Sequence, residues 1–199
     1  MQSNGLIIFK GEATGIAQDL PQEIRNSTAL MDGATTGYSV IDGEAGSHAT
    51  GAIGFNSAAG IGNVQANMIV IEHGNSTNFE PTSNISQSSH DLSVTMDGGS
   101  HDAHVAGNAF ESASGIISVN STSGAFNQQA NVTLLTSNAL GAITPSLNQY
   151  GIANTFTSNA TLNSSIGGNA FSGASGQIGV NVSAGAGNLQ ANQLIISKP

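Results

Sequence analysis

The stretch Gly176–Asn192, which reads GQIGVNVSAGAGNLQAN, decides the fold because it occurs three times in the chain. Gly51–Asn67 reads GAIGFNSAAGIGNVQAN and Gly115–Asn131 reads GIISVNSTSGAFNQQAN, and the three copies align without a gap. Their closing asparagines are 64 and 61 residues apart (131 − 67 and 192 − 131). Self-similarity at a nearly fixed spacing is typical of proteins that stack one structural unit per repeat.

Each copy continues into an apolar segment that also opens the chain. Gln190–Lys198 reads QANQLIISK, and Gln2–Lys10 reads QSNGLIIFK. Because the last segment copies the first, we expect a junction between two molecules to resemble an interior one. The expected junction residues are Leu6, Ile7, Ile8, Leu194, Ile195 and Ile196. The sequence predicts one repeat domain over 1–199, with units at about 4–66, 67–130 and 131–191 and the opening of a fourth at 192–199.

Inside the repeats, apolar residues alternate with small or polar ones. Ile178, Val180 and Val182 share one face of an extended chain, and the residues between them share the other. Alternation of this kind indicates β-strands, and we find no stretch with a helical period. A second strand is expected to open in each copy at Val64, Gln128 and Leu189.

Stacking the units in parallel register would bury apolar faces that one unit cannot bury alone. Stacked side-chain amides can hydrogen-bond along the axis, whereas stacked charges would repel one another. The three copies accordingly contain no Asp, Glu, Lys or Arg. The sequence predicts an all-β, parallel stacked β-solenoid or cross-β fold of three imperfect repeats of about 62 residues, one layer per repeat. The predicted stacking ladder comprises Asn56, Gln65, Asn67, Asn120, Gln129, Asn131, Asn181, Gln190 and Asn192.

The segments between the copies, which we call the arms, correspond more weakly. Thr28–Gly33 reads TALMDG and Ser93–Gly98 reads SVTMDG, and Asn159–Ser164 (NATLNS) is expected to be their third equivalent. Three prolines follow Asn4, Asn67 and Asn131, the asparagines that open the apolar segments, by 17, 14 and 14 residues. We expect these prolines to be equivalent as well. They are Pro21, Pro81 and Pro145.

Charge and composition exclude several classes of function. The chain has 12 acidic and 3 basic residues, which argues against binding nucleic acid or an anionic membrane. It has no cysteine, so disulfides and thiolate metal sites are excluded. No run approaches the ~20 apolar residues of a membrane-spanning helix.

No catalytic, cofactor or metal site is predicted, and we do not expect an enzyme. His101-Asp102-Ala103-His104 contains metal-ligand residue types. The cluster has no equivalent in the other units, so the sequence favours a solvated loop there.

The motif G-x-I-G-V-N-x-x-A-G-x-x-N-x-Q-A-N, best seen at Gly176–Asn192, resembles the repeat of the Fap functional-amyloid fibrillins of pseudomonads and relatives. Those proteins carry three such repeats joined by variable linkers. The chain departs from them in lacking a Cys-x-Cys pair. The resemblance implies a secreted subunit of biofilm fibres, at the cell surface or in the matrix. Its implied partners are further copies of itself, other fibre subunits and an outer-membrane export apparatus, with no nucleic acid and no membrane insertion.

The sequence favours a structural fibre subunit that assembles by stacking its Asn/Gln-rich repeats. Two alternatives remain open at this point. One is a monomeric β-solenoid adhesin or passenger domain, and the other is a β-helical polysaccharide-processing enzyme, against which the poverty of acids and aromatics argues.

Overall fold

The computed structural model describes residues 1–11, 17–33, 35–74, 82–137 and 144–198 and contains sixteen β-strands. These residues form no helix, so the all-β prediction is confirmed and no helix suited to crossing a membrane occurs among them. The strands are β1 Gln2–Lys10, β2 Ala17–Arg25, β3 Thr28–Met31, β4 Thr36–Ile41, β5 Thr50–Ile61, β6 Val64–His73, β7 Thr82–His90, β8 Ser93–Met96, β9 Ser100–Val105, β10 Ser114–Ala125, β11 Gln128–Ser137, β12 Thr144–Ile152, β13 Thr155–Ser158, β14 Thr161–Ile166, β15 Ser175–Ala186 and β16 Leu189–Lys198.

All strand pairs are parallel and build five sheets that run along one stacking axis. We name them the QAN sheet (β1-β6-β11-β16), the GVN sheet (β5-β10-β15), and the first, second and third arm sheets (β2-β7-β12, β3-β8-β13 and β4-β9-β14). One pass of the chain through all five sheets is a level. The bottom level is β1–β5, the middle level β6–β10 and the top level β11–β15, and β16 lies above β11.

The register places the repeats on one another residue by residue. Asn120 pairs with Asn56 and Asn181, and Asn131 pairs with Asn67 and Asn192. The predicted second strands begin where expected, because β6, β11 and β16 start at the three predicted residues. The predicted fold class, a parallel stacked β-solenoid with one layer per repeat, is therefore confirmed.

The third equivalent predicted for the second arm sheet is wrong. Thr155–Ser158, and not Asn159–Ser164, pairs with Ser93–Met96. A turn sets this register: Asn26, Asp91 and Ala153 have left-handed backbone, and each arm strand begins two residues later. Composition alone cannot identify the turn because an alanine occupies it in the top level.

The predicted equivalence of the prolines is also wrong. Pro21 pairs with Ser86, whereas Pro145 pairs with Ser83, and Pro81 lies outside the described residues. Both placed prolines lie on edge strands of the first arm sheet, where a missing N–H is tolerated. Nothing therefore requires these prolines to align.

In cross-section, four sheets lie face to face in the order first arm, QAN, GVN and third arm. Ile85 packs with Val132 between the first two of these sheets, and Val105 packs with Ile117 between the last two. The second arm sheet closes one end over the turn at Phe126. Between the QAN and GVN sheets the interior is polar and consists of stacked amides.

The first arm sheet is offset from the QAN sheet along the stacking axis, so that its strands contact QAN strands up to two levels higher. Gln22 of the bottom level donates through Nε2 to the carbonyl of Gln129 in the top level (3.2 Å). Gln87 of the middle level donates to the carbonyl of Gln190 in β16 (3.0 Å). By the same step, β12 extends to the height of a strand above β16.

Two glycine columns in the GVN sheet allow the levels to stack closely. Gly60, Gly124 and Gly185 have φ between +103° and +115°, a region that side chains avoid. A Cβ built on Gly124 would lie 2.0 Å from the carbonyl oxygen of Gly185. Gly51, Gly115 and Gly176 form the second column, in which the hypothetical Cβ atoms point in the opposite direction along the axis.

His101 is a buried titratable group of the third arm sheet, and the predicted solvated loop is wrong because the residue lies on β9. Its column partners are Gly37 below and Leu162 above, so the ring fills space that Gly37 leaves open. Among the described residues, neither ring nitrogen has a hydrogen-bond partner. Burial lowers the pKa of His101, and the neighbouring Asp102 carboxylate opposes this shift more weakly.

We expect stability to fall as the pH decreases below about 6.5, the ordinary histidine value, because the unfolded chain then binds a proton that the folded chain resists. The loss levels off below the lowered folded-state pKa of His101. His101→Leu, which copies Leu162 of the top level, should remove this component of the pH dependence. The measurement is the free energy of urea unfolding between pH 5 and 8. His73→Leu, at an exposed histidine, is the control, and an unaltered slope in H101L would contradict the assignment.

Candidate functional site

Asparagine side chains from the QAN and GVN sheets form one zigzag ladder along the axis. Asn120 donates through Nδ2 to Asn56 Oδ1 (3.0 Å) and Asn67 Oδ1 (2.9 Å), and it accepts from Asn131 (2.9 Å) and Asn181 (2.9 Å). The pattern repeats up and down the stack. The ladder comprises Asn4, Asn56, Asn67, Asn120, Asn131, Asn181 and Asn192.

The ladder also fixes the spacing between the two sheets. Asn131 Nδ2 donates to the carbonyl of Val119 (3.1 Å), and Asn120 Nδ2 donates to the carbonyl of Ala66 (3.0 Å). Asn120 is fully buried, and its Nδ2 and Oδ1 atoms both have protein hydrogen-bond partners, so neither atom depends on water. A buried amide with both donors and its acceptor in use is stabilising, whereas one left unpaired costs about 1–3 kcal/mol.

The glutamines form a second ladder with the opposite polarity. Gln2 donates to Gln65 Oε1 (2.9 Å), Gln65 to Gln129 (2.8 Å), and Gln129 to Gln190 (2.7 Å). Each interior glutamine also bonds a carbonyl of the GVN sheet, as Gln129 does to Ser121 (3.1 Å). The structure therefore brings the nine predicted ladder residues together in two hydrogen-bonded ladders, one of asparagines and one of glutamines.

The described residues contain two further three-membered amide columns that were not predicted from the sequence. Asn127 at the turn donates through its backbone and side-chain nitrogens to Asn63 Oδ1, and Asn188 donates likewise to Asn127. The first asparagine of the N-x-Q-A-N motif was the available signal for this column. The second is Gln22, Gln87 and Gln149 in the first arm sheet, with bonds of 2.7 and 2.6 Å. Their spacings of 65 and 62 residues were hidden in arms of otherwise low similarity.

The predicted junction residues lie at opposite edges of the QAN sheet. Leu6, Ile7 and Ile8 are on β1 at the bottom edge, and Leu194, Ile195 and Ile196 are on β16 at the top edge. Two strands separate these edges within one chain, so the two sets do not contact each other there.

The candidate metal cluster does not converge on one point. No group of three or more His, Asp or Glu side chains is arranged to hold a metal ion in the part of the chain that the structure describes. Asp102 instead accepts from Asn163 (2.6 Å) and Ser100 (2.9 Å). These hydrogen bonds, with that from Asn163 foremost, lower the pKa of Asp102.

A parallel, in-register stack of short repeats, with buried amides bonded along the axis, defines an amyloid-like cross-β protein. The class is therefore fixed by the ladders together with the register.

The particular family follows from comparison with known proteins. The model of the functional amyloid protein FapB/FapC family matches residues 17–199, and the chain belongs to this family. Searches of curated proteins and of solved structures returned no match. The family resemblance seen in the repeat motif is thus confirmed. It is a family of functional amyloid subunits and not of enzymes.

Asn120→Asp should test how strongly the ladder depends on amides. The carboxylate would lose the Nδ2 donor and face the oxygens of Asn56, Asn67 and Ala66. We expect a loss of about 3–5 kcal/mol at pH 7, as for an uncompensated buried charge, with partial recovery when the carboxyl is protonated. The measurement is urea unfolding at pH 7 and at pH 3.

Asn4→Asp is the matched control at the exposed lower end of the ladder. Asn4 Oδ1 still accepts from Asn56 and Asn67, and only the bond to the Gly54 carbonyl is lost. Its cost should stay below about 1 kcal/mol. Equal costs at the two positions would contradict the interior role of Asn120.

Proposed function

We propose that the protein is a structural subunit of an extracellular fibre in bacterial biofilm, and that it assembles by placing the bottom level of one chain on the top level of another. Its membership of a functional amyloid family supports this proposal. The columns of the nine ladder residues predicted from the sequence would then continue from chain to chain. The six predicted junction residues lie on β1 and β16, the QAN strands nearest this contact.

The main support for the proposal is that apolar side chains of the top level are exposed where their middle-level equivalents are buried. Four such side chains are 42–52% exposed, although their register partners in the middle level are at most 1% exposed. The top-level residues are Leu147, Phe156, Leu162 and Ile166, and their middle-level partners are Ile85, Val94, His101 and Val105. Large apolar side chains that are exposed at one end of the stack, while their equivalents one level below are buried, mark this end as an interaction site.

A second copy of the chain is the occupant that fits this surface. The interface between levels already exists twice within the chain, and a further copy would repeat its register. The step between the first arm and QAN sheets leaves β12 at the height of a further QAN strand, which the bottom level of another chain would supply. The inner face of Leu147 would then be covered as that of Ile85 is covered by the QAN sheet.

The distribution of charge also suits this contact. The acidic residues all lie before position 112, so the top level contains none. An added bottom level would place Asp19 over Ser146 and Glu23 over Tyr150, as read from the columns of the first arm sheet. Like charges would therefore not meet across these columns of the junction.

The wider setting rests on the family. Its members are extracellular components of biofilm fibres, and we extend that location to this chain. Other fibre subunits and an outer-membrane export apparatus are the further partners we propose. The proposed role needs neither catalysis nor a cofactor.

Gly51→Ala tests assembly without adding a contact inside the free chain. A Cβ at Gly51 meets nothing within 4 Å, whereas a Cβ at Gly115 would lie 2.2 Å from the Gly51 carbonyl oxygen. In a continuous stack, the added methyl would meet Gly176 of the next chain at the same short distance. We expect the variant to fold, with a backbone strain cost on the order of 1–3 kcal/mol, and to lose seeded fibre growth.

Three measurements complete the experiment: circular dichroism of the soluble chain, seeded growth followed by a fibre-binding dye, and electron microscopy. Gly167→Ala is the control, since Gly167 also has open space and its middle-level equivalent is Ala106. G167A should grow like the wild type. Normal growth of G51A, or a wild-type chain that stays monomeric at high concentration, would overturn the proposed assembly.

A further inference from the structure

The number of strands in the QAN sheet creates a conflict at every junction of a continuous fibre. The described part of the chain contributes four strands to this sheet and three to each of the other four sheets. If the bottom level of a second chain stacks on the top level of the first, four sheets continue without a gap. In the QAN sheet, however, β16 of the first chain and β1 of the second occupy the same place.

The two strands are similar enough to substitute for one another. Gln2–Lys10 and Gln190–Lys198 are identical at six of nine positions. Gln2 donates to Gln65 Oε1, and Gln190 carries the same amide at the same column position. Asn67 donates to Asn4 Oδ1 (2.9 Å), and the equivalent oxygen of Asn192 is the upper end of the ladder. β16 can therefore make beneath a second β6 the bonds that β1 makes there.

The surroundings of the two strands decide which one leaves. Eight of the nine residues of β1 are exposed, and it borders the GVN sheet through bonds such as Asn4 Nδ2 to the Gly54 carbonyl (3.0 Å). β16 is held from both sides. It bonds the GVN sheet through Asn192 and the first arm sheet through Gln193, whose Nε2 donates to the carbonyl of Ser83 (2.8 Å).

We propose that β1 is a self-complementing strand: in the free chain it occupies the site beneath β6 that β16 of a neighbouring copy occupies in the fibre. Assembly then proceeds by strand exchange, in which the incoming chain releases its own β1. This inference rests on the proposed fibre function and specifies its junction. Because β1 is tethered beside its site at an effective concentration on the order of millimolar, it competes well against dilute neighbours and keeps the free chain complete.

Simple end-to-end pairing of β16 with β1 is the competing geometry. It would join the QAN sheets of two chains. In each of the other four sheets it would leave one strand position empty, a gap of about 4.8 Å beyond the normal strand spacing. The apolar top-level surface would then stay uncovered, so the observed exposure favours exchange.

Two engineered disulfides in one column distinguish these geometries. Ile8 pairs with Ile71, and Leu135 pairs with Ile196, so each pair lies across neighbouring parallel strands at a separation that a disulfide can span. The chain has no cysteine, so the engineered pair forms the only disulfide. I8C/I71C locks β1 to β6, and L135C/I196C locks β16 to β11.

Oxidised I8C/I71C added to wild-type seeds should lose fibre growth after at most one addition per end, and reduction should restore it. Oxidised L135C/I196C should grow at the rate of its reduced form, because β16 stays in place during exchange. Mass spectrometry verifies each disulfide, and circular dichroism verifies the fold.

Growth of both oxidised variants would overturn strand exchange while leaving the fibre function standing. Arrest of L135C/I196C with growth of I8C/I71C would overturn the assignment of β1 as the released strand. Arrest of both would show that both edge strands must move, which also contradicts the proposal. If neither the wild type nor the reduced variants form fibres, the fibre function itself fails, and the exchange fails with it.

Discussion

The structure depends on one constraint: each residue of the repeat core lies directly above its equivalent in the neighbouring level, about 4.8 Å away. Only side chains that tolerate such a neighbour can occupy buried columns. Amides do so because each carries both donors and an acceptor, so that Asn120 can bond Asn56 on one side and Asn181 on the other. Glycine does so where the backbones approach too closely for a Cβ, as at Gly124. The absence of charge from the repeat cores follows from the same constraint.

The stack is continuous along its axis but uneven at its ends. The first arm sheet lies up to two levels out of step with the QAN sheet, so the interior of the top level is open while that of the middle level is closed. Unevenness of this kind resists flat, nonspecific stacking, since a partner has to match five sheets at once. A parallel cross-β edge would otherwise be a hazard for any soluble protein. In the fibre role proposed for this chain, the exposed edge and the uncovered apolar surface would serve assembly, and the sequence-related strands β1 and β16 would control when it occurs.

The sequence predicted the fold class because an in-register parallel stack needs only equivalence between repeats, and equivalence can be read from spacing. The same spacing places Asn120 and Gln129 in columns where the structure has hydrogen-bonded amides. The arms were predicted less well. Thr155–Ser158 was missed because a left-handed turn at Ala153 sets its register, and Pro145 was misaligned because an edge strand tolerates proline anywhere along it. His101 was assigned to a loop because its burial depends on the empty space above Gly37, which no single-sequence pattern records.

The sequence by itself determined which residues of the three repeat copies lie in which column, since repeated spacing dictates register once the strands are parallel. Only the tertiary structure decided how the five sheets face one another, and therefore which columns are buried. The step between the first arm and QAN sheets arises from contacts such as Gln22 with the Gln129 carbonyl, which join residues 107 positions apart. Contacts of that separation depend on the packing of whole sheets against each other, and such packing leaves no periodic trace in the chain.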